Sequence, residues 1–229
     1  MSIFFKRRGE PPATVDAIFA NNSWEEIIAA CQSGSVPDSW VVGNSKTMTI
    51  NGTSYQIDII GKNHDTYTAG GTAPLTFQMH DCYGTKYAMN SLDTNSGGWT
   101  SCAMRSTHLP AILALMPSEV QAGIKEVNKL TSAGSQSSTI NTTTDKLFLL
   151  SEIEIFGSVR YSKSGEGTQY AYYKAGNSKV KKVNGSNSAW WERSPSGGIN
   201  TFFCRVGSEG GNYDGYASDS KGVAFAFCF

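Results

Sequence analysis

Histidine beside aspartate, in Gly61-Lys62-Asn63-His64-Asp65, is the first pairing in this chain that could do chemistry. An imidazole next to a carboxylate can ligate a metal or move a proton. No other part of the sequence supplies a matching ligand cluster, so the expectation is a loop whose His64 and Asp65 cap backbone groups. The three histidines, His64, His80 and His108, lie outside any G-x-S-x-G or H-E-x-x-H setting, and no triad, metal centre or cofactor is nominated. Asp93-Thr94-Asn95 has the Asp-x-Asn start of a calcium loop, but the Gly and distal Glu of an EF-hand are out of place. A structured turn over Asp93–Trp99 is expected instead. Cys31, Cys82, Cys102, Cys204 and Cys228 are odd in number and lack C-x-x-C spacing, which reads as buried small hydrophobes. Cys204 and Cys228 both fall in expected strands, which leaves a pairing between them open.

The last forty residues have a different kind of chemistry. Their ends, Trp190-Trp191-Glu192-Arg193-Ser194-Pro195 and Gly222-Val223-Ala224-Phe225-Ala226-Phe227-Cys228-Phe229, are apolar and strand-like, whereas Ser196 to Lys221 is rich in Gly, Ser, Asn, Asp and Tyr. Such a middle cannot be core, and its composition is that of a binding surface, in which Tyr gives rigid contact area and Ser, Gly and Asn give adaptable hydrogen bonds. Phe202–Val206 reads as a strand within it, with Phe203 and Arg205 on the face opposite Phe202, Cys204 and Val206. The candidate ligand-binding residues are Ile199, Asn200, Thr201, Arg205, Ser208, Glu209, Asn212, Tyr213, Asp214, Tyr216 and Asp219, with Arg205, Tyr213 and Tyr216 as the expected hot spots. Trp190, Trp191 and Val223–Phe229 are expected to be framework, and Arg193 to pin loop carbonyls through its fork of donors.

The order Trp-Trp-x-Arg-Ser-Pro, Phe-Cys-x-Val, Gly-Val-x-Phe-x-Phe resembles a family of gut bacteriophage and prophage proteins with a C-type-lectin-like domain, akin to the variable proteins of diversity-generating retroelements. The resemblance extends upstream through Ile60–Asp65, Met89–Asn95, Gly97–Trp99 and Asp145–Gly157, and so covers roughly residues 40 to 229. It implies an α+β, formylglycine-generating-enzyme-like fold with short antiparallel sheets, a few helices and long loops. It further implies a fixed scaffold with a variable C-terminal region, residues 190–229, that binds a protein or glycan on a bacterial surface. The implied setting is a virion, with the protein made in the bacterial cytoplasm and other virion proteins contacted through an N-terminal segment, residues 1–39; oligomerisation is left open. A structural virion component is the alternative. A formylglycine-type enzyme is disfavoured because Cys204 and Cys228 lie in aromatic strand-like runs, and the Glu-Pro-Asn or Gln-Pro-Asp signature of calcium-dependent lectins is missing.

Composition narrows the classes further. Lys+Arg and Asp+Glu balance at 19 each, so there is no broad electrostatic footprint for nucleic acid or an anionic membrane. No segment approaches the ~20 apolar residues of a membrane span, and the start lacks the apolar run of a secretion signal.

The elements expected to position these residues follow from local signals. Residues 1 to about 20 read as a tail. Ser23 with Glu26 opens a helix over Trp24–Gln32 that stops at Gly34, its Trp24, Ile27, Ile28 and Cys31 forming one apolar face for packing on the main domain. Asn51-Gly52 joins two strands in a hairpin, and Leu75–Met79 is a short strand. A helix over Ser101–Met116 is split at Pro110, and a second opens at Ser118 with Gln121, with Val120, Ile124, Val127 and Leu130 inward. Thr131–Thr144 reads as a surface loop and Lys146–Phe156 as a central strand. Ser158–Ser188 reads as a long functional loop carrying Tyr161, Tyr170, Tyr172 and Tyr173.

Overall fold

A computed structural model describes residues 15–229. The first fourteen residues of the expected tail lie outside the described residues. Helix α1 (Trp24–Ser33) opens with the capping box written in the sequence. The Ser23 hydroxyl accepts from the Glu26 N–H at 3.1 Å, and the Glu26 carboxylate accepts from the Ser23 N–H at 2.7 Å. Gly34 closes the helix at φ +68°, a left-handed turn that favours glycine. Trp24, Ile27, Ile28 and Cys31 are all buried, and Trp24 meets Phe77 and Phe229 edge-on, so the apolar face packs on the chain's own core.

Asn51 and Gly52 turn β1 (Ser45–Ile50) into β2 (Thr53–Lys62) at φ +47° and +76°, the left-handed pair that a tight hairpin requires. β3 (Leu75–Met79) lies antiparallel on β2. The helix expected over Ser101–Met116 with a split at Pro110 is interrupted elsewhere: α2 (Gly98–Ser101) ends at extended Cys102, and a π-helical turn over Met104–His108 then runs without a break into α3 (Leu109–Leu113), which carries Pro110 in its first turn.

The helix that follows, α4 (Ser118–Gly123), is shorter than its sequence pattern. Ser118 and Gln121 do not form a capping box, because the Gln121 amide donates back to the Met116 carbonyl at 2.7 Å. Val127 and Leu130 belong instead to β4 (Val127–Ser132), which pairs over its whole length with β5 (Ile140–Asp145), and Leu130 points outward. The loop expected over Thr131–Thr144 is therefore mostly a hairpin. Its polar composition hid a strand whose Thr143 and Asp145 face inward, a half-buried pleat that suits β-branched threonine.

The central strand expected over Lys146–Phe156 is likewise corrected. Leu147–Leu150 are buried and Phe148 bridges to Ala226, but the chain then turns into α5 (Glu152–Phe156). A second capping box, Ser151 with Glu154, starts that helix. α6 (Ala171–Lys174), β6 (Lys181–Val183) and β7 (Ser186–Ser188) interrupt the expected loop over Ser158–Ser188. Tyr170, Tyr172 and Tyr173 are buried there with their hydroxyls on Asp65, Asp58 and Gln78, so these tyrosines serve the core and not a ligand.

The last segment supplies β8 (Trp190–Pro195), β9 (Phe202–Val206), β10 (Asn212–Tyr216) and β11 (Ala226–Cys228). Strand orders are β1-β2-β3-β11 and β10-β9-β8, with β4-β5 and β6-β7 as separate pairs, all antiparallel. The architecture is α+β with several short antiparallel sheets. Because β11 seats beside β3, Phe227 and Phe229 pack on Phe77 at 5.4 and 5.2 Å between ring centroids. Cys204 and Cys228 stand in different sheets, and all five cysteines are free and buried. Among the described residues no helix is long and apolar enough to cross a membrane.

Candidate functional site

Every residue of β8 is buried, which places Glu192, Arg193 and Ser194 in the interior together with the tryptophans. Arg193 behaves as its fork of donors suggested. It donates to the carbonyls of Leu130 (3.1 and 3.0 Å), Leu149 (2.9 Å) and Glu166 (2.7 Å), and forms a two-pronged ion pair with Glu154. Lys129 lies 2.8 Å from Glu154 and 2.7 Å from Asp65. Burial pushes the Glu154 carboxyl up, but Arg193 and Lys129 overcome it and hold Glu154 below the usual carboxylate range. Asp65 follows the same logic. Burial opposes its charge, yet Lys129 and the Thr76 and Tyr170 hydroxyls bring it to about 2. Asp65 is thus a buried ion-pair partner and not a cap for backbone groups, and the adjacent His64 stacks on Tyr170 with 3.9 Å between ring centroids. Among the described residues no three His, Cys, Asp or Glu side chains gather to hold a metal.

Glu192 breaks this pattern of pairing. Both of its carboxyl oxygens are buried without a hydrogen-bond partner. Burial raises its pKa well above the ordinary 4.5, and the Glu152 and Glu166 carboxylates push the same way. The folded chain therefore holds a proton that the unfolded chain releases above about pH 4.5. Stability from this group is full below that value and falls as pH rises, by about 1.4 kcal/mol per pH unit, until the folded group itself ionises. Glu192→Gln keeps the shape and removes the titration. Its melting temperature should exceed the parent's at pH 8, with a smaller margin at pH 5; an equal margin at both pH values, or a loss at pH 8, would count against a protonated Glu192.

On this frame sits the surface. The Asp93–Trp99 turn is the clamp that holds it: the Asn95 amide donates to the carbonyls of Ser196 (3.2 Å), Ile199 (3.0 Å) and Phe202 (2.8 Å), while its oxygen accepts from the Ser135 N–H. Asp93 accepts from the Ser218 N–H and hydroxyl. Asn95 is fully buried, and an amide with donors and acceptor on one planar group is what such a junction needs. Its only trace in the sequence is the Asp-x-Asn pattern.

Of the eleven sequence candidates, Ile199, Asn200, Ser208, Glu209, Tyr213, Tyr216 and Asp219 are exposed, whereas Thr201, Arg205, Asn212 and Asp214 are half-buried. The β9–β10 register pairs Tyr213 with Arg205 and Tyr216 with Phe202. Cross-strand partners share a face and alternate residues oppose each other, so the three expected hot spots divide between two faces. Arg205 and Tyr213 lie together, the guanidinium 5.1 Å from the ring centroid, while Tyr216 packs edge-on against Phe202 at 4.5 Å. Asn212 is partly committed inward, donating to Glu152 at 2.7 Å. Asp219 pairs with Lys221. The Glu209 backbone N–H and the Tyr213 hydroxyl hold the Glu209 carboxyl below the usual range.

Ile199 and Asp214 also line an open cleft of about 390 Å³ with Arg160, Tyr161, Ser162, Lys163 and Gly197. Sequence reading did not bring residues 160–163 to this place. Their loop is fixed by Glu152, whose carboxylate accepts from the N–H groups of Arg160, Tyr161 and Ser162 and from the Ser162 hydroxyl.

The sequence profile of a domain of unknown function, DUF6273, matches residues 75–229. The chain belongs to this family, and the matched region contains β3, the Asn95 clamp and all eleven candidate residues. No curated protein and no solved structure matches the chain.

Proposed function

We propose that this chain is a ligand-binding module with a C-type-lectin-like fold, of the variable-protein kind, that recognises a protein or glycan on a bacterial surface from a phage or prophage particle. The observation that carries the reading is the contrast within one segment: Trp190–Pro195 and Val223–Phe229 are buried, while Ile199, Tyr213 and Tyr216 between them are 43, 41 and 51% exposed. Large exposed side chains on a backbone pinned by Asn95 and by the β9–β10 pairing suit recognition, because little ordering entropy remains to be lost on binding. A rigid scaffold carrying recognition loops separates stability from specificity.

A binding role is favoured over a formylglycine-type enzyme by the state of the cysteines. Cys204 and Cys228 are fully buried and their thiols are pushed up well above the ordinary range, first by burial and then by neighbouring carboxylates. A reactive cysteine needs an accessible thiolate, which neither position offers.

The test combines Arg205→Ala, Tyr213→Ala and Tyr216→Ala. Melting temperature should stay within a few degrees of the parent, and adhesion to a bacterial strain that the parent binds should fall at least tenfold, since Tyr and Arg anchors each contribute about 1–2 kcal/mol or more. Unfolding of the variant would move these residues from the surface to the core, and unchanged adhesion would remove the site.

A further inference from the structure

We propose that the cleft between residues 160–163 and 196–199 takes an acidic sugar residue, a hexuronate unit of a surface polysaccharide, and so provides the anionic subsite of the recognition surface proposed above. The inference rests on that surface-recognition reading and assigns it a ligand class.

Two cations define the cleft. Arg160 and Lys163 line it, and neither side chain has an ion pair or hydrogen bond among the described residues. The Arg160 guanidinium lies 5.0 Å from the Tyr161 ring centroid, which orients its fork of donors without consuming them. Both walls are built in advance. Glu152 fixes the backbone of residues 160–162, and the Gly197 N–H donates to the Tyr161 carbonyl at 2.7 Å, tying one wall to the other. The Lys163 stem runs over Gly197 so closely that a Cβ there would stand 2.8 Å from Lys163 Cε and 3.0 Å from Cδ. The Ser162 carbonyl oxygen would stand 3.0 Å from the same Cβ, so residues 162 and 163 both lie directly over Gly197.

The remaining groups select among anions. Asp214 lines the same cleft, and one of its oxygens accepts from the Ser196 hydroxyl at 2.9 Å while the other takes no bond among the described residues. A free carboxylate oxygen in the same cleft disfavours an anion that brings no hydroxyl, such as the side-chain carboxylates of an acidic peptide, but it accepts from a hydroxyl. A ligand that carries one carboxylate and several hydroxyls meets both demands: the carboxylate faces Arg160 and Lys163, and a ring hydroxyl donates to Asp214. The Tyr161 ring and exposed Ile199 offer apolar surface to the C–H face of the sugar, and the volume of about 390 Å³ suits one or two sugar residues.

The experiment is calorimetric titration of the full chain with trigalacturonate, with neutral galactotriose and hexaglutamate as controls. Trigalacturonate should bind and the controls should bind at least tenfold more weakly. Arg160→Ala with Lys163→Ala should weaken trigalacturonate at least tenfold at unchanged melting temperature. Asp214→Ala is the discriminating variant: loss of a hydroxyl acceptor weakens the sugar acid, whereas a general anion site would bind more tightly. Equal affinity for hexaglutamate, tighter binding by Asp214→Ala, or no binding of trigalacturonate overturns the assignment. Cell adhesion that depends on Arg205, Tyr213 and Tyr216 while trigalacturonate fails to bind would leave the recognition reading standing and remove the subsite alone.

Discussion

Arg193→Ala should lower the melting temperature by roughly 10 °C or more, the expected consequence of about 3–5 kcal/mol lost when one partner of a buried ion pair is removed. The guanidinium is fully buried and joins four segments: β4 through Leu130, the stretch before α5 through Leu149, the Glu166 loop, and α5 through Glu154. Truncation leaves three carbonyls short of a donor and Glu154 with Lys129 as its remaining cation. Arg193→Lys should recover only part of the loss, because an ammonium on a flexible stem cannot reproduce the planar fork. Thermal melting and urea titration check both variants. A soluble Arg193→Ala chain melting within two degrees of the parent would show that the network is ornamental.

Trp191→Ala should be nearly as damaging, at about 3–5 kcal/mol for an excised core tryptophan. The indole is fully buried, donates to the Tyr87 carbonyl at 2.9 Å, and carries the Lys221 ammonium 5.1 Å from its ring centroid. Its cross-strand partner is Arg205, which in turn pairs with Tyr213. The cavity therefore opens beneath the row of the candidate surface, and ligand binding should fall along with stability. Trp191→Phe should retain most of the packing and lose the bond to Tyr87, giving a smaller drop. A Trp191→Ala chain that melts like the parent would deny β8 its framework role.

The features legible in the sequence share one property, namely that all the atoms involved are close along the chain. The Ser23–Glu26 capping box, the Asn51-Gly52 turn and the strand over Phe202–Val206 each depend on residues within a few positions, and each stands in the structure. Misreadings arose where local composition pointed one way and the partner another. Ile140–Asp145 is polar enough for a loop, but β4 supplies a full ladder of backbone partners. Lys146–Phe156 is apolar enough for a strand, but Ser151 and Glu154 start a helix within it. Tyr170, Tyr172 and Tyr173 look like contact residues until buried Asp58, Asp65 and Gln78 claim their hydroxyls.

By itself the sequence determined that short helices and strands are mixed along the chain, the apolar frame at Trp190–Pro195 and Val223–Phe229, and the contact-rich composition between them, because hydrophobic patterning, capping and turn chemistry act over short spans. Tertiary structure alone decided the rest: that Glu192 is buried without a partner, that Asn95 clamps a loop about a hundred residues away, and that Arg160 and Lys163 meet Gly197 and Asp214 in one cleft. Those outcomes turn on which distant segments are brought together and on how much water the packing excludes, since the same carboxylate or amide is a surface group in one setting and a buried, pKa-shifted or structure-fixing one in another.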